Sequence, residues 1–392
     1  MSTADKFMEN RIIYIKGGRA IEEANRLIPR IGELPDGGPD KFLLAVLHFA
    51  KDATFRLVSL GPETMRTRIG NREVVEYGAR SESRNKLQRR LAFLTSSLAL
   101  LIDSIRFRPT RLLCGLDGPI GLFAWLAARL TGAQFVFLGH SALAMPSTSL
   151  PYKLANRFLC RHADKVIAHG PFVRDEAIRL GAHDNNVIEF NNALDKEHIE
   201  LIQTFPAKPE FPEKHVIVYV GRIEADKGVI DLFEACQQLP DGTPYELRYI
   251  GEGSALPILR QRIESASLGS KIMCTGGLPH ESVFRHLHEA SIVATPSQSS
   301  FPEGFCKSVM EAFYVGTPVI APNYGPFPYM VEHQLNGLLH EPDNVDALSK
   351  ALRSLIDDPA LYAKVKAGAE QTGLRWTTAD STFSTAIRSI FK

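Results

Sequence analysis

Two cations flank a short loop in the second half of the chain, and their spacing suits a phosphate group. Arg222 and Lys227 follow an apolar run, 218–220, and precede an amphipathic run, with glycine on either side of the loop. Fixed cations beside a helix start bind a diphosphate well, because charge-assisted hydrogen bonds and the helix dipole act together. The alternative is a solvated loop in which the two cations pair with Glu224 and Asp226.

Two glutamates lie eight positions apart in the segment 296–312, across a predicted loop-to-helix junction. Eight helical residues rise about 12 Å, whereas the two carboxyls of a retaining glycosidase lie about 5–5.5 Å apart. Glu303 and Glu311 are therefore not expected to act as acid and nucleophile on one bond. They could contact two ends of an extended ligand, Glu303 the sugar and Glu311 a ribose. Helix-start amides suited to phosphate are expected at Gly304, Phe305, Cys306 and Lys307.

Three further features carry chemistry less directly. His140 follows a predicted strand and is expected at the carboxyl edge of the first sheet, although a solitary histidine is also common as a packed residue. Gly37 and Gly38 precede a predicted helix and could present amides to phosphate or to an acceptor, or could form an ordinary turn. Gly251-x-Gly253 lacks the third glycine and the acidic partner of a dinucleotide site, so no nicotinamide cofactor is expected.

Short β-branched runs alternate with amphipathic ones along the chain, which predicts an α/β fold of two doubly wound, Rossmann-like domains facing a cleft. Six strands are expected in the first half, at 11–15, 55–60, 111–114, 134–138, 165–168 and 187–190. Six more are expected in the second half, at 215–220, 246–250, 271–274, 292–294, 318–321 and 337–339. A proline-rich break at 205–212 separates a domain at 1–205 from one at 213–377.

Composition restricts the class of function. The chain carries 45 Lys and Arg against 44 Asp and Glu, so no nucleic-acid-binding surface is expected. The longest uncharged apolar run, Leu91–Ile102, has 12 residues, fewer than the roughly 20 that a membrane span requires. Five scattered cysteines fit neither a disulfide framework nor a zinc ribbon, and the first residues are polar. A soluble, cytoplasmic protein is therefore expected.

The neutral charge balance hides an asymmetry between the halves. Residues 1–200 carry 28 cations and 22 anions, whereas residues 201–392 carry 17 and 22, and the stretch Arg66–Arg90 alone has eight cations. Cations beside apolar residues favour peripheral contact with an anionic membrane, such as an inner membrane face. A solvated loop leading into a buried helix is the preferred interpretation, because leucines repeat at core-facing helical spacing at Leu87, Leu91, Leu94, Leu98 and Leu101.

The segment 218–321 resembles the donor-binding half of a family 4 glycosyltransferase of GT-B fold. Four motifs match in order: the Gly-Arg-x4-Lys-Gly loop, the strand-Gly-x-Gly turn, the Pro-Ser…Glu-x7-Glu motif and the Gly-Thr-Pro-Val-Ile-Ala strand. The N-terminal half is similar to the family more loosely, with an unusual insertion at 17–35. The segment at about 378–392 fits the last helix of the family, which packs back on the first domain.

This resemblance implies a role for each candidate residue. Arg222 and Lys227 would bind the donor diphosphate. Glu311 would bind the ribose of the donor, and Leu278 would lie near its base. Glu303 and His140 would be the catalytic residues, which position and stabilise the sugar ring. Cys306 stands where many members have glycine. No Asp-x-Asp occurs in the chain, so neither a metal nor another cofactor is expected.

The implied activity is retaining transfer of a sugar from a UDP- or GDP-sugar to a hydroxyl acceptor, which forms an α-glycosidic bond. The charge asymmetry suggests an anionic or lipid-linked acceptor, such as a glycolipid or polysaccharide precursor. Two alternatives stay open. A sugar-nucleotide epimerase of the same fold would turn over the donor without an acceptor, and a non-catalytic partner subunit would bind the donor but transfer nothing.

Overall fold

The computed structural model describes residues 10–28, 42–79, 85–146, 148–192, 194, 196–377 and 382–391. The chain forms two compact units, Met1–Asn192 with Asp380–Lys392, and Ala193–Ala379. Each unit is built on its own largely parallel sheet covered by helices, which confirms the predicted pair of doubly wound α/β domains. Within the described residues, no helix is long and apolar enough to cross a membrane.

The first unit contains eight described strands: β1 Arg11–Lys16, β2 Thr54–Gly61, β3 Met65–Ile69, β4 Arg72–Gly78, β5 Arg111–Cys114, β6 Gln134–Gly139, β7 Lys165–His169 and β8 Val187–Phe190. Their order in the sheet is β3-β4-β2-β1-β5-β6-β7-β8, and only the β3–β4 pair is antiparallel. The central strands β1 and β5 are almost entirely buried. Such apolar runs are typical of a parallel sheet that is covered on both faces.

The helices of this unit that precede β8 are α1 Ala20–Leu27, α2 Phe42–Phe49, α3 Lys86–Phe107, α4 Pro119–Thr131, α5 Leu150–His162 and α6 Gly170–Arg179. Helix α2 buries most of its length in the core with α1 and the strands. Helix α3 begins at a capping box, in which Asn85 and Gln88 exchange side-chain to backbone hydrogen bonds. Helices α4 and α5 each carry a proline in the first turn, where no backbone donor is required.

The hairpin of β3 and β4 was not predicted, and it occupies part of the basic segment. Arg66 pairs with Glu73 at 3.2 Å and with Asp103 at 2.9 Å. Arginines occupy every second position of β3. Because of these charges, the segment was interpreted as a solvated loop and its strand pattern was overlooked. Arg80 and Arg84 lie outside the described residues. The segment therefore contains a structured, ion-paired hairpin.

The predicted burial of the α3 leucines is wrong. Leu87, Leu91, Leu94 and Leu98 are exposed, and Leu101 is half-buried. The buried side of the helix instead combines three serines with two large apolar residues. These are Ser96, Ser97 and Ser104, together with Leu100 and Phe107. Helical periodicity located the apolar side of α3 but could not show which side faces the core.

The second unit contains six strands among its described residues: β9 His215–Val220, β10 Tyr245–Ile250, β11 Ile272–Gly276, β12 Ile292–Ala294, β13 Val319–Pro322 and β14 Gly337–His340. Their order is β11-β10-β9-β12-β13-β14, and every pair is parallel. All six predicted strands of this half are present, with small changes at their ends.

The helices of the second unit are α7 Lys196–Gln203, α8 Val229–Gln237, α9 Leu256–Ser265, α10 His280–Glu289, α11 Lys307–Tyr314, α12 Phe327–Met330, α13 Val345–Asp357 and α14 Pro359–Thr377. One core lies between the sheet and α8, α9 and α13, and a second lies between the sheet and α10 and α11. The strand order reverses between β9 and β12: the chain continues from β9 toward one edge of the sheet and from β12 toward the other. Ligand-binding loops are expected at the carboxyl ends of two such strands.

The contacts divide the chain earlier than the proline-rich break at 205–212 that the sequence suggested. Helix α7 and Phe205 pack against the second unit, and Lys208 donates hydrogen bonds to Thr317 and to the carbonyl of Ala290. The prolines therefore follow the boundary at Asn192 and lie on the surface of the second unit. The last helix, α15 Phe383–Phe391, belongs to the first unit, where it packs against α2 and β8.

Candidate functional site

A pocket of about 340 Å³ lies at the carboxyl ends of β9 and β12 in the second unit. It brings together most of the residues that the motifs singled out, although these lie far apart in the sequence. The predicted residues in its wall are Arg222, Lys227, Glu303, Phe305, Cys306, Lys307 and Glu311. Tyr219, His280, Thr295, Ser297 and Ser308 complete the polar lining.

Lys227 and Glu303 form an ion pair in this pocket. Their Nζ and Oε2 atoms are 2.5 Å apart, and both side chains are largely buried. The ammonium of Lys227 also lies 3.8 Å from the ring centroid of Phe301, and the guanidinium of Arg222 lies 5.5 Å from the same centroid. The ring of Phe301 thus contacts both cations. Lys227 does not pair with Asp226, so the alternative of a solvated, self-paired loop is wrong for this lysine.

Arg222 differs from the other cations of the pocket. Within the described part of the chain, no carboxylate lies within ion-pair distance of its guanidinium. Its own carbonyl accepts a hydrogen bond from the Tyr219 hydroxyl at 2.6 Å, which fixes the backbone of the loop. Glu224, the suggested partner of Arg222, bonds instead to Ser254. Arg222 therefore supplies a positive charge that no carboxylate of the described residues neutralises by direct pairing.

The loop that carries Lys227 is held against the loop that carries Glu303. Lys227 ends a short 3-10 turn, and Gly228 follows it with a φ of +68°. A Cβ atom on this glycine would lie 1.9 Å from the carbonyl oxygen of Pro296. The amide of Gln298 donates to the carbonyl of Asp226 at 3.0 Å. These backbone contacts bring the two loops into register, so Lys227 reaches Glu303.

Glu311 lies at the other end of the pocket wall, on α11. Its buried carboxylate accepts hydrogen bonds from His280 at 2.7 Å and from Lys307 at 3.1 Å. Burial alone would raise the pKa of Glu311, but the His280 hydrogen bond and the Lys307 charge hold it below its usual range. Glu311 is therefore an ionised acceptor at neutral pH. Hydroxyl groups are suitable donors to such a carboxylate.

Helix α11 begins at Cys306, which is its N-cap. Burial raises the pKa of the Cys306 thiol to about 11, so this side chain is an uncharged thiol. Its sulfur lies 3.4 Å from the Ser308 hydroxyl. The amide-rich start of α11 thus lines the pocket beside Lys307 with no acidic cap, an arrangement that is electrostatically open to an anion. Gly304 is buried next to this wall.

The predicted base vicinity lies at the end of β11. The amide of Gly277 donates to the Glu252 carboxylate at 3.0 Å, and the side chain of Leu278 packs on the core beneath α10 and α11. Neither Gly277 nor Leu278 lines the pocket itself. The carboxylate of Glu252 fixes this turn, and it was not singled out from the sequence.

His140 lies in the first unit, directly after β6, at the predicted carboxyl edge of that sheet. Its ring stacks on Phe42 with centroids 5.0 Å apart, and Nδ1 is buried without a hydrogen-bond partner among the described residues. Burial, with a contribution from Lys16, lowers the pKa of His140 to about 4. The imidazole is therefore neutral at neutral pH. The loop that follows is fixed at Leu143, whose amide donates to the buried Glu176.

Two predicted residues cannot be placed. Gly37 and Gly38 lie in 29–41, outside the described residues. Within the described residues, no group of three or more His, Cys, Asp or Glu side chains is arranged to hold a metal ion.

Two residues that contact the charged side chains of the pocket were missed from the sequence. Phe301 lies within a motif that was singled out, but its role depends on the two cations that the fold brings to it. His280 begins α10 directly after the β11 turn, and that position at the carboxyl edge of the sheet was a usable signal. Both residues act on side chains that are more than 25 positions away in sequence.

Two doubly wound units, the second with a cation-lined pocket at the carboxyl edge of its sheet, define the GT-B class of folds. Solved structures agree. Sucrose-phosphate synthase from Thermosynechococcus elongatus aligns with 97% of this chain and 98% of its own, with a TM-score of 0.69 and 16% identity. HepE of Anabaena, solved in complex with UDP-glucose, aligns over the same shares with a TM-score of 0.64 and 17% identity.

Family profiles match both units. The profile described as glycosyl transferases group 1 matches residues 202–372, and the profile described as a glycosyl transferase 4-like domain matches residues 43–193. An uncharacterized glycosyltransferase of Haemophilus influenzae is 30% identical over 258 residues, which cover 64% of this chain and 67% of that protein. The chain belongs to the group 1, family 4-like glycosyltransferases.

Two relatives with named activities align over similar lengths at lower identity. Alpha-D-kanosaminyltransferase of Streptomyces kanamyceticus is 25% identical over 268 residues, which cover 64% of this chain and 69% of that enzyme. Glycogen synthase of Mycobacterium tuberculosis is 27% identical over 234 residues, which cover 59% of this chain and 55% of that enzyme. These two relatives differ in their named activities.

Proposed function

We propose that this chain is a retaining glycosyltransferase that moves a sugar from a UDP- or GDP-sugar to a hydroxyl acceptor. One observation carries the proposal: a single pocket combines Lys227, the start of α11, an ionised Glu311 and an Arg222 that has no carboxylate partner among the described residues. Cations and helix-start amides match a diphosphate, and a buried carboxylate matches ribose hydroxyls. The UDP-glucose bound to the Anabaena neighbour supports a sugar nucleotide of this kind.

In this proposal the reaction is a substitution on one face of the sugar. The bond between the anomeric carbon and the diphosphate oxygen breaks, and the acceptor oxygen bonds the same carbon from the same face, which gives an α-glycosidic product. The acceptor proton passes to the departing phosphate oxygen. Arg222 and Lys227 stabilise the charge that develops on the diphosphate. They take the place of a bridging metal, so we propose that no metal ion is required.

We assign the remaining roles to residues of both units. Glu303 orients Lys227 and contacts sugar hydroxyls, while a neutral His140 contributes to sugar positioning. Leu278 marks the vicinity of the base, and Gly37 and Gly38 contribute amides. The charge asymmetry supports an anionic or lipid-linked acceptor at the first unit, such as a glycolipid or polysaccharide precursor. A cytoplasmic location with peripheral membrane contact is part of the same proposal.

Transfer kinetics test this assignment. With a nucleotide sugar and an accepted hydroxyl substrate, Lys227→Ala and Glu303→Ala are each expected to lower kcat/KM by roughly 100-fold or more, the size found when one charge stabiliser is removed. Lys214→Ala is the matched control, because Lys214 forms an exposed ion pair with Glu246 on the same unit. Near wild-type kcat/KM in both site variants would refute the site. If an α-linked donor gave a β-linked product, the reaction would not be retaining. If the donor turned over without an acceptor, the protein would be an epimerase.

A further inference from the structure

A row of large apolar side chains faces solvent along α3 in the first unit. Each member of the row is between 48% and 75% exposed, and the members are Leu87, Leu91, Leu94, Leu98 and Ile102. They recur every three or four residues, so they share one side of the helix over a length of about 22 Å. A row of this length is unlike the single exposed leucines that are normal on protein surfaces.

The polarity of α3 is inverted relative to an ordinary surface helix. Three serines, Ser96, Ser97 and Ser104, lie on the buried side, where one would expect the leucines. The hydroxyl of Ser97 donates to the carbonyl of Phe93 at 2.7 Å, so burial leaves it satisfied. The helix packs through these serines together with Leu100 and Phe107, and its exposed leucines remain available to another surface.

The two helices that follow α3 also expose apolar side chains. Helix α4 packs against α3, and α5 packs against α4. Each carries exposed leucines of its own: Leu126 and Leu130 on α4, and Leu150 and Leu154 on α5. We call the outer sides of α3, α4 and α5 together the leucine face.

The leucine face is strongly cationic. The sequences of its three helices contain eight Lys and Arg residues and a single acid, Asp103. Asp103 is already engaged by Arg56 at 3.0 Å and by Arg66 at 2.9 Å. Arg90, Arg106 and other arginines of these helices are exposed beside the leucines. The face thus combines apolar side chains with an excess of positive charge.

We propose that the leucine face docks on an anionic phospholipid surface. Leucines would enter the boundary between head groups and acyl chains, and the flanking arginines would contact lipid phosphates, which is the pattern of an interfacial helix. A second copy of the chain is a poorer occupant, because it would bring two cationic faces together. This inference rests on the peripheral membrane contact of the proposed function and assigns it to a surface of the first unit, whereas the chemistry of the donor pocket does not enter it.

Vesicle flotation of the full chain tests the proposal. Wild-type protein is expected to float with vesicles of equal parts phosphatidylcholine and phosphatidylglycerol, and not with phosphatidylcholine alone. Leu91→Glu combined with Leu98→Glu is expected to weaken partitioning at least about tenfold, and Arg90→Gln combined with Arg106→Gln roughly fivefold for each cation removed. Ile258→Glu is the matched control, since Ile258 is 50% exposed on α9 in the second unit.

The outcomes separate the possible occupants. All variants are expected to keep wild-type melting temperature and UDP affinity, because the altered side chains are exposed; loss of lipid binding then reports on the face alone. Equal flotation of wild type and the leucine variant, or no flotation of wild type with anionic vesicles, overturns the proposal. Concentration-dependent dimers in sedimentation without lipid, abolished by the leucine variant, would also overturn it and assign the face to a second copy.

Discussion

Ion pairing at the level of single residues determines what charge the pocket presents. Glu303 is bonded to Lys227, and Glu311 to Lys307 and His280. These contacts fix the positions of both carboxylates before any ligand arrives, which lowers the cost of ordering the site. Arg222 remains as the charge that is not directly paired within the described residues. We expect the affinity for phosphate to depend more on Arg222 than on any other single cation.

Glu311→Gln tests the division of the pocket into a phosphate end and a ribose end. The amide keeps the shape but loses a charged acceptor, and hydrogen bonds to charged groups contribute about 1.5–3 kcal/mol. The affinity for UDP is expected to fall by roughly 10–100-fold, measured by isothermal titration. The affinity for inorganic pyrophosphate, which has no ribose, is expected to change little. An equal loss for both ligands would contradict the ribose assignment.

The four side chains that define the ends of the pocket were all evident from the sequence. Arg222, Lys227, Glu303 and Glu311 stand at fixed spacing beside runs that could be assigned to strands and helices. The ion pair of Lys227 with Glu303 was not evident, because it joins residues 76 positions apart. Phe301 and His280 were missed for the same reason, since only the sheet order places them beside their partners.

At the level of elements, the pocket depends on close packing between two loops. Gly228 allows the carbonyl of Pro296 to approach the Lys227 turn, and Gln298 bonds across to Asp226. Because the loops follow β9 and β12, which are neighbours in the sheet, their separation is set by strand spacing. The loop contacts then fix the remaining freedom of Lys227.

Gly228→Ala tests this packing, and Gly242→Ala is its control. Both glycines have positive φ, +68° and +85°, so alanine is strained at each by about 1–2 kcal/mol. A Cβ atom at 242 meets nothing within 4 Å, whereas at 228 it would overlap the Pro296 carbonyl. Gly228→Ala is therefore expected to lose a further ~1–3 kcal/mol in urea unfolding and to weaken UDP binding. Equal stability of the two variants would show that the close approach is unimportant.

Some helices and strands could be predicted from the sequence more accurately than others. Strands β9–β14 are apolar runs between glycines and polar loops, and all six were predicted. The β3–β4 hairpin was missed, because arginines such as Arg66 interrupt its apolar alternation. Helix α3 was predicted, but with the wrong side buried. Three serines lie on its buried side, and hydrophobic periodicity does not mark such residues as core-facing.

At the scale of the whole molecule, each unit has its own core and its own titratable groups. The first unit contains a buried histidine, His169, and a partly buried one, His140, near the aromatic rings of Phe42 and Phe190. Burial lowers the pKa of His140 to about 4, and burial together with the neighbouring His140 lowers that of His169 to about 3. Protonation of either ring therefore favours the unfolded state of this unit.

The stability of the first unit is expected to fall as the pH drops below about 6.5. The unfolded chain binds protons there while the folded histidines do not, at a cost of up to ~1.4 kcal/mol per pH unit for each histidine. Urea unfolding between pH 8 and 4.5, in a Trp376→Phe background where Trp125 is the reporter, measures this slope. His140→Phe keeps the ring stack and is expected to reduce the slope below pH 6.5, with no change in slope above pH 7. An unchanged slope would contradict the burial of a neutral His140.

The central claim is that the pocket of the second unit holds the diphosphate of a nucleotide sugar. The most direct measurement is isothermal titration of UDP, GDP and ADP into wild-type protein, Arg222→Gln and the control Lys214→Gln. We predict that at least one of the three nucleotides binds the wild type and the control equally, and binds Arg222→Gln roughly 10–100-fold more weakly, because one charge-assisted contact is lost. If no nucleotide binds the wild type, or if Arg222→Gln binds as tightly as the control, the pocket is not the donor site.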